Sequence, residues 1–309
     1  MPCFSQIIDE QVPSSLRLDR YVSEILNILS RSQIKARKLK ARINGKDVKL
    51  SRRVKRGDNL ELNWDDLPPA DIVPQDIPLV IIYEDKNCVV VNKAQGMVVH
   101  PGAGNRQGTL ANALYFRNPA RRGSAGTMVS AARTGIVHRL DKDTSGVIIA
   151  AYNDETHAFL SLQFKARVTR KNYIAVIQGI PPERTGRIEN FIARDPKNRK
   201  RFAVSDNGRT AITLYKVIKT WRGYSLVLLS PKTGRTHQLR VHMRHIGHPI
   251  LGDPVYGNAD SLFPDASLML HSKSLAIKLP GGTERKVFTS DLPDRFSAVI
   301  DKLNRLKNG

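Results

Sequence analysis

Cysteine is almost missing from this 309-residue chain, with Cys3 and Cys88 the only two. That excludes a disulfide framework and a four-thiolate zinc site, and makes a reducing compartment the simplest expectation. No stretch approaches the roughly 20 apolar residues that a membrane-spanning helix needs. A basic-then-apolar signal pattern is lacking at the start, and Asp9 and Glu10 argue against a transit peptide. A cytoplasmic protein is therefore expected. Internal repeats are lacking as well. Acids are scarce: 28 Asp and Glu face 50 Lys and Arg, leaving a net charge of +22. Such an excess attracts polyanions but says nothing about fold. Nucleic acid is the leading partner class and an anionic membrane surface the second. What remains is ordinary for a globular chain: 40% hydrophobic residues, enough for one large and one small core.

Residues 1–66 read as a small unit. Leu16, Leu18, Tyr21, Val22, Ile25 and Leu29 recur at helical spacing and predict a helix ending near Leu29. Ser30 is placed to cap a short helix from Arg31 to Leu39. Asn44-Gly45 predicts a tight turn after a strand, and Leu60–Trp64 a closing strand. From Arg31 to Arg56 there are twelve Lys and Arg and one acid, Asp47. A helix and a turn presenting these together favour phosphate contact over a merely solvated face. The candidate RNA-binding residues are Arg31, Lys35, Arg37, Lys38, Lys40 and Lys46.

Four prolines, Pro68, Pro69, Pro74 and Pro78, mark residues 67–78 as a linker. Residues 79–309 then form a second domain. Strands are expected at 79–83, 88–92, 147–151, 173–178, 211–219 and 224–229, and helices at 154–165, 238–246 and 294–306. Strands outnumber helices without alternating strictly, so the expected class is α+β with a mostly antiparallel sheet. Residues 117–135, rich in Gly, Ala and Arg, read as a mobile insertion loop.

The chemistry concentrates in His138-Arg139-Leu140-Asp141-Lys142-Asp143-Thr144-Ser145-Gly146, directly before an apolar strand. Catalytic groups commonly sit on such loops, although Asp143 to Gly146 would also make an ordinary turn. This string resembles the signature of the RluA-type pseudouridine synthases. Three further segments resemble that family in the expected order: Val91-Asn92-Lys93 through Val99-His100-Pro101-Gly102, then Lys171-Asn172-Tyr173, then Gly234-Arg235-Thr236-His237-Gln238-Leu239-Arg240 through Gly252-Asp253-Pro254-Val255-Tyr256-Gly257. Ala94 stands where the family commonly has proline. The small unit is similar to an S4 RNA-binding domain through Arg17-Leu18-Asp19, Ser30-Arg31-Ser32 and Ile43-Asn44-Gly45-Lys46. Together these point to the RluD-like branch, which modifies large-subunit ribosomal RNA.

The resemblance implies a mixed-sheet catalytic domain behind a small α/β S4 domain. It implies isomerisation of uridine to pseudouridine in ribosomal RNA, free or within an assembling subunit. The reaction breaks the N1–C1′ bond and rejoins the base through C5, with no redox change. No cofactor, metal or small-molecule donor is expected, and the chain is expected to act as a monomer. By resemblance Asp141 is the catalytic carboxylate; attack on the sugar, attack on the ring and removal of a C2′ proton all stay open to it. Arg240 would direct it through paired N–H donors, with Arg235 in reserve. Thr236 would cap the helix that carries Arg240, leaving Arg240 and Arg244 on its flank. Tyr173 would stack on the flipped uracil and relay a proton, Arg139 would fill the vacated space, and His138 would line the pocket. His237, His242, His245 and His248 fall within twelve residues. Phosphate contact or structural hydrogen bonds suit them better than zinc, since no acid or thiol completes a ligand set before Asp253. The competing readings are a non-catalytic RNA-binding ribosome-assembly protein and a glycosidic-bond hydrolase.

Overall fold

The computed structural model describes residues 3–9, 12, 16–26, 28–29, 34–35, 37–65, 72–102, 104–118, 135–198 and 201–307. The chain divides into two compact units, Met1–Asp71 and Ile72–Gly309. Arg31, the proposed cap Ser30 and most of the expected 117–135 loop lie outside the described residues.

The first unit holds a four-stranded sheet in the order β1-β4-β2-β3, with β1 Cys3–Ile7, β2 Lys40–Ile43, β3 Lys46–Val48 and β4 Asn59–Asn63. The turn joining β2 and β3 has both central residues at positive φ, Asn44 at 52° and Gly45 at 75°, as a two-residue hairpin of this type requires. The expected first helix is shorter than its apolar spacing suggested. It runs from Leu18 to Arg20 (α1) and widens into a π-type turn over Tyr21–Ile25, with the Leu26 N–H on the Tyr21 carbonyl. Ser23 Oγ bonds the Asp19 carbonyl, offering that backbone an alternative partner. Leu18, Tyr21, Val22 and Leu29 still reach one core, with Ile43, Leu60 and Leu62 beneath them. Lys35, Lys38, Lys40 and Lys46 are exposed and Arg37 is half-buried.

The second unit is built on a ten-stranded mixed sheet. Its strands are β5 Val80–Glu84, β6 Cys88–Lys93, β7 Ser145–Ala151, β8 Arg170–Gln178, β9 Thr185–Arg194, β10 Phe202–Val204, β11 Arg209–Trp221, β12 Tyr224–Pro231, β13 Leu270–Lys278 and β14 Arg285–Thr289. The order is β10-β9-β11-β12-β8-β13-β7-β6-β5, with β14 paired to β13 off this path. Every pairing is antiparallel except β13 with β7, where His271 and Ser272 run parallel to Ser145 and Gly146. Helices α2 (Leu110–Arg117), α3 (Asp154–Lys165), α4 (Gln238–His245) and α5 (Asp294–Lys307) accompany the sheet. Among them α3 packs on β7, α4 on β10 and β11, and α5 on β11.

Several of these elements were not expected. Strand β9 carries Arg187, Glu189 and Asn190, which break its apolar alternation. Strand β13 buries His271 and Ser272, polar groups that read as loop until their partners are known. Helix α2 is closed at its start by a capping box in which Thr109 and Asn112 satisfy each other's backbone amides.

Candidate active site

The loop from His138 to Thr144 enters β7 through Gly146, whose φ is +113°. A Cβ there would collide with the Ser272 backbone of β13, so glycine is what lets the two parallel strands meet. The loop is also tied down on its other side. The buried Lys93 ammonium donates to the carbonyls of Ala94 (2.8 Å), Met97 (2.8 Å) and Lys142 (3.1 Å). Gln95 Nε2 donates to the Asp143 carbonyl at 3.0 Å, and Gly96 N–H to that of Lys142 at 2.9 Å. Burial pushes the Lys93 amine down to about 8, against the pull of Asp143 and Asp141. Asp141 is thus presented on a backbone with little freedom. Its side chain is 19% exposed.

Arg240 Nη1 stands 3.7 Å from Asp141 Oδ2. Its tighter partner is Asp253, reached by Nε and Nη2 at 2.7 Å each. The second carboxylate, with no side-chain exposure, also accepts the Val255 and Tyr256 amides at 2.9 and 3.0 Å. Burial alone would raise the Asp253 carboxyl; the Arg240 hydrogen bonds and charge, with those two amides, outweigh it and hold the group below its ordinary value. The guanidinium lies over the Tyr256 ring at 5.0 Å. Two expectations are corrected here. The flank expected to carry both arginines is split: Arg240 is buried, while Arg244, one turn on, is exposed. Thr236 does not cap α4: the N-cap position is His237, in the left-handed region at φ 55° with no side-chain cap. Gln238 instead fastens the preceding turn, accepting from Thr233 Oγ1 (2.7 Å) and the Arg235 amide (3.0 Å) while donating to the Ile212 carbonyl.

Tyr173, on β8, is buried and lines the same cavity as Asp141 and Arg240, a chamber of about 490 Å³. Burial pushes its phenol up to about 12, the nearby Asp141 charge adding to this and contact with Ser272 opposing it. The hydroxyl is therefore protonated at neutral pH and available as a donor. A second chamber of about 470 Å³, lined by His100, Asp143 and Val255 among others, shares Arg139, Leu140, Asp141, His237 and Arg240 with the first. Asp141 thus stands in the wall common to both. The exposed Arg139 lines each.

His138 lines the first chamber, but its Nε2 accepts the Ile149 amide at 3.0 Å and its ring stacks on Phe164. Burial pushes it down to about 3, so it is neutral with its proton on Nδ1. The clustered histidines separate into hydrogen-bonded roles. His237 Nδ1 meets Tyr256 OH at 2.9 Å, His242 Nδ1 meets Thr213 Oγ1 at 2.9 Å and His248 Nδ1 meets the Gln178 carbonyl at 3.2 Å. Among the described residues, no three of His, Cys, Asp and Glu gather as metal ligands. Arg235, the reserve candidate, bonds the Thr210 carbonyl at 3.0 Å and lines the first chamber away from any acid it could pair with. Asp253, Lys93 and Gln238 fall within the segments that resemble the family, but no role follows for them from sequence, because their partners lie elsewhere in the chain.

Known proteins resemble the chain in sequence and in fold. The family model described as RNA pseudouridylate synthase matches residues 87–245. The chain is 45% identical over 290 residues to ribosomal large subunit pseudouridine synthase D of Borreliella burgdorferi, covering 92% of this chain and 88% of that protein. It is 35% identical to the uncharacterized RNA pseudouridine synthase YlyB of Bacillus subtilis, over 96% of each. Among solved structures, human RNA pseudouridylate synthase domain containing 4 aligns with a TM-score of 0.59 at 26% identity, covering 73% of this chain and 93% of that one. The chain belongs to the RNA pseudouridylate synthase family. Within that class it is an RluA/RluD-like pseudouridine synthase, an isomerase.

Proposed function

We propose that this protein converts specific uridines of large-subunit ribosomal RNA to pseudouridine, with Asp141 as the catalytic carboxylate. The observation that carries the reading is the convergence of Asp141, Arg240 and Tyr173 on one chamber, the carboxylate set by a guanidinium that Asp253 holds in place. The large-subunit target is supported by the printed names of relatives such as those of Borreliella burgdorferi and Zymomonas mobilis. A target uridine leaves its stack and enters the chamber, where the Tyr173 ring offers a face worth about 1–3 kcal/mol of stacking. The N1–C1′ bond breaks, the uracil turns, C5 bonds to C1′, and the C5 proton departs while N1 regains one. Atoms and electrons balance without any donor. Attack on C1′, attack on the ring and proton removal at C2′ all need Asp141 facing the nucleotide, which the clamped loop provides. Tyr173, held protonated, hands a proton on only as it receives one. Arg139 fills the space the base leaves, and His138 shapes the chamber wall as a neutral ring.

The basic unit of residues 1–66, read as S4-like, docks RNA through Lys35, Arg37, Lys38, Lys40 and Lys46, with Arg31 beside them in sequence, and the linker expected at 67–78 ends before Ile72, since Val73 and Gln75 already bond Asn112 of the second unit. The enzyme works in the cytoplasm, as a monomer without cofactor, on free or partly assembled ribosomal RNA. The test is Asp141→Ala: a nucleotide-resolution map of pseudouridine should lose its wild-type positions while RNA binding persists. Conversion that continues in the variant would remove Asp141 from its role, and release of free uracil would replace the isomerase by a hydrolase.

A further inference from the structure

The first chamber is strongly basic. Asp141, the single acid among its lining residues, stands at the wall shared with the second chamber, and Lys165, Arg167, Lys171, Lys232 and Arg235 also line it. On β8, Lys171 and Tyr173 are two residues apart and face the same way. Asn172 between them is held by Ser274 Oγ at 3.2 Å and Ser230 Oγ at 2.7 Å. The Lys171 amine lies beside Gly234, where a Cβ would come within 3.8 Å of it. No hydrogen bond or ion pair reaches that amine from the described residues, and burial pushes it down from the ordinary lysine value. An unpaired, partly desolvated ammonium in a cavity is costly unless a ligand completes it.

Two neighbouring guanidinia add to the charge, the exposed Arg167 and the half-buried Arg235. Arg167, just past the end of α3, has φ 58°, a left-handed position where glycine is usual and a side chain costs of the order of 1 kcal/mol. Arg235 is pushed down by burial and by the charges of Arg167 and Arg209; its Nε donates to the Thr210 carbonyl, and no ion pair reaches it from the described residues. Cations at a helix C-terminus offset its dipole, which accounts for Lys165 and Arg167. It does not account for Lys171, from a strand, or Arg235, from the turn after β12 that Gln238 fastens.

We propose that this wall is a phosphodiester subsite, in which Lys171, Arg167 and Arg235 grip a backbone phosphate flanking the uridine presented to Asp141. The inference rests on the proposed function and adds to it the part of the substrate that fixes the nucleotide's position. Planar guanidinium donors suit phosphate oxygens, and an ammonium adds a point charge. The site relieves the mutual repulsion of the free wall and sets the distance from sugar to carboxylate.

The experiment uses the full chain and a short RNA carrying a uridine that the wild-type enzyme converts. Each phosphate flanking that uridine is replaced in turn by a neutral methylphosphonate. One replacement should lower wild-type kcat/KM by about tenfold to a hundredfold, the loss for one charged hydrogen bond. In Lys171→Met the unmodified RNA should suffer a comparable loss, and the same methylphosphonate should cost nothing further. Lys171→Arg should recover part of the rate, and Arg235→Gln, at a half-exposed position, should repeat the non-additivity if the methionine variant folds poorly. Penalties that simply multiply would overturn the proposal, as would no penalty at either phosphate. A second arm needs no turnover: the salt dependence of binding to single-stranded RNA, followed by fluorescence anisotropy. Its slope should fall by about 0.7 in Lys171→Met. An unchanged slope rejects the subsite whether or not the enzyme proves active. Absent conversion by the wild type with a reduced slope in the variant rejects only the proposed reaction.

Discussion

Arg240 meets two carboxylates and binds them differently. It shares two hydrogen bonds of 2.7 Å with Asp253, which has no side-chain exposure, and a looser 3.7 Å approach with Asp141, which is 19% exposed. Burial makes the first pair essential to its partner, since a lone buried guanidinium lacks both water and counter-charge. Asp253→Ala is therefore expected to cost about 3–5 kcal/mol in urea-unfolding midpoints and to abolish conversion. Asp141→Asn should remove conversion while shifting stability by less than about 1 kcal/mol, because its ion pair is long and partly solvated. Equal destabilisation by the two would mean that Arg240 does not distinguish them. Lys93 works through the backbone instead. Lys93→Met would take the ammonium from the Ala94 and Met97 carbonyls and leave that of Lys142 to the Gly96 amide alone, and is expected to lower kcat more than KM by loosening the Asp141 loop.

At the scale of elements, the parallel contact between β13 and β7 sets the loop's exit. Gly146 permits it, and Gly146→Ala should destabilise the fold by at least about 1–3 kcal/mol, since both its positive φ and the Ser272 backbone oppose a side chain. A variant that melts with the wild type would contradict this. Behind the contact lies a hydrogen-bond network that starts from a cation: Arg295 Nη2 donates to Ser145 Oγ (2.6 Å), which meets His271 Nδ1 (2.9 Å), and His271 Nε2 meets Ser290 Oγ (2.8 Å). It satisfies His271, while Ser272 Oγ donates to the Val147 carbonyl at 3.2 Å; these partners lie far off in sequence, which made the strand unreadable there. The N-terminal unit makes a separate claim. Removing residues 1–66 should flatten the salt dependence of RNA binding by about 0.7 per lost phosphate contact while the second unit still unfolds cooperatively. An unaltered slope would locate docking elsewhere.

For the whole molecule, buried histidines govern the acid limb of stability. Burial pushes His138 down to about 3 and His242 and His271 down to about 4. As pH falls below about 6.5, the unfolded chain takes up these protons first and the folded chain refuses them. Stability is thus retained above about pH 6.5 and lost as pH falls from there toward 4. Each histidine contributes up to about 1.4 kcal/mol per pH unit within that window. Denaturant midpoints measured from pH 8 to 4 should show this decline, and His242→Gln should make it shallower by roughly one proton. Asp253, held below the usual carboxylate value, adds stability that is lost only at still lower pH, as it falls through the depressed value. The net charge of +22 plays a different part, steering the chain toward RNA rather than holding it folded.

What the linear chain determined by itself was whatever lies within one short segment. Four short segments, led by the nine adjacent residues His138 to Gly146, carried the family resemblance. The Asn44-Gly45 hairpin needed only local φ preferences, and the apolar stripe of the last helix needed only its own period. Tertiary structure decided everything that depends on partners distant in sequence. Asp253 serves Arg240 because a buried turn brings it under α4, and Lys93 holds the Lys142 carbonyl across 49 residues. Strand β13 exists because Ser145, Ser290 and Arg295 satisfy its buried polar groups. Periodicity reports which face of an element is apolar; it carries no record of which polar group a buried donor will meet, since that pairing exists only once the chain has closed on itself.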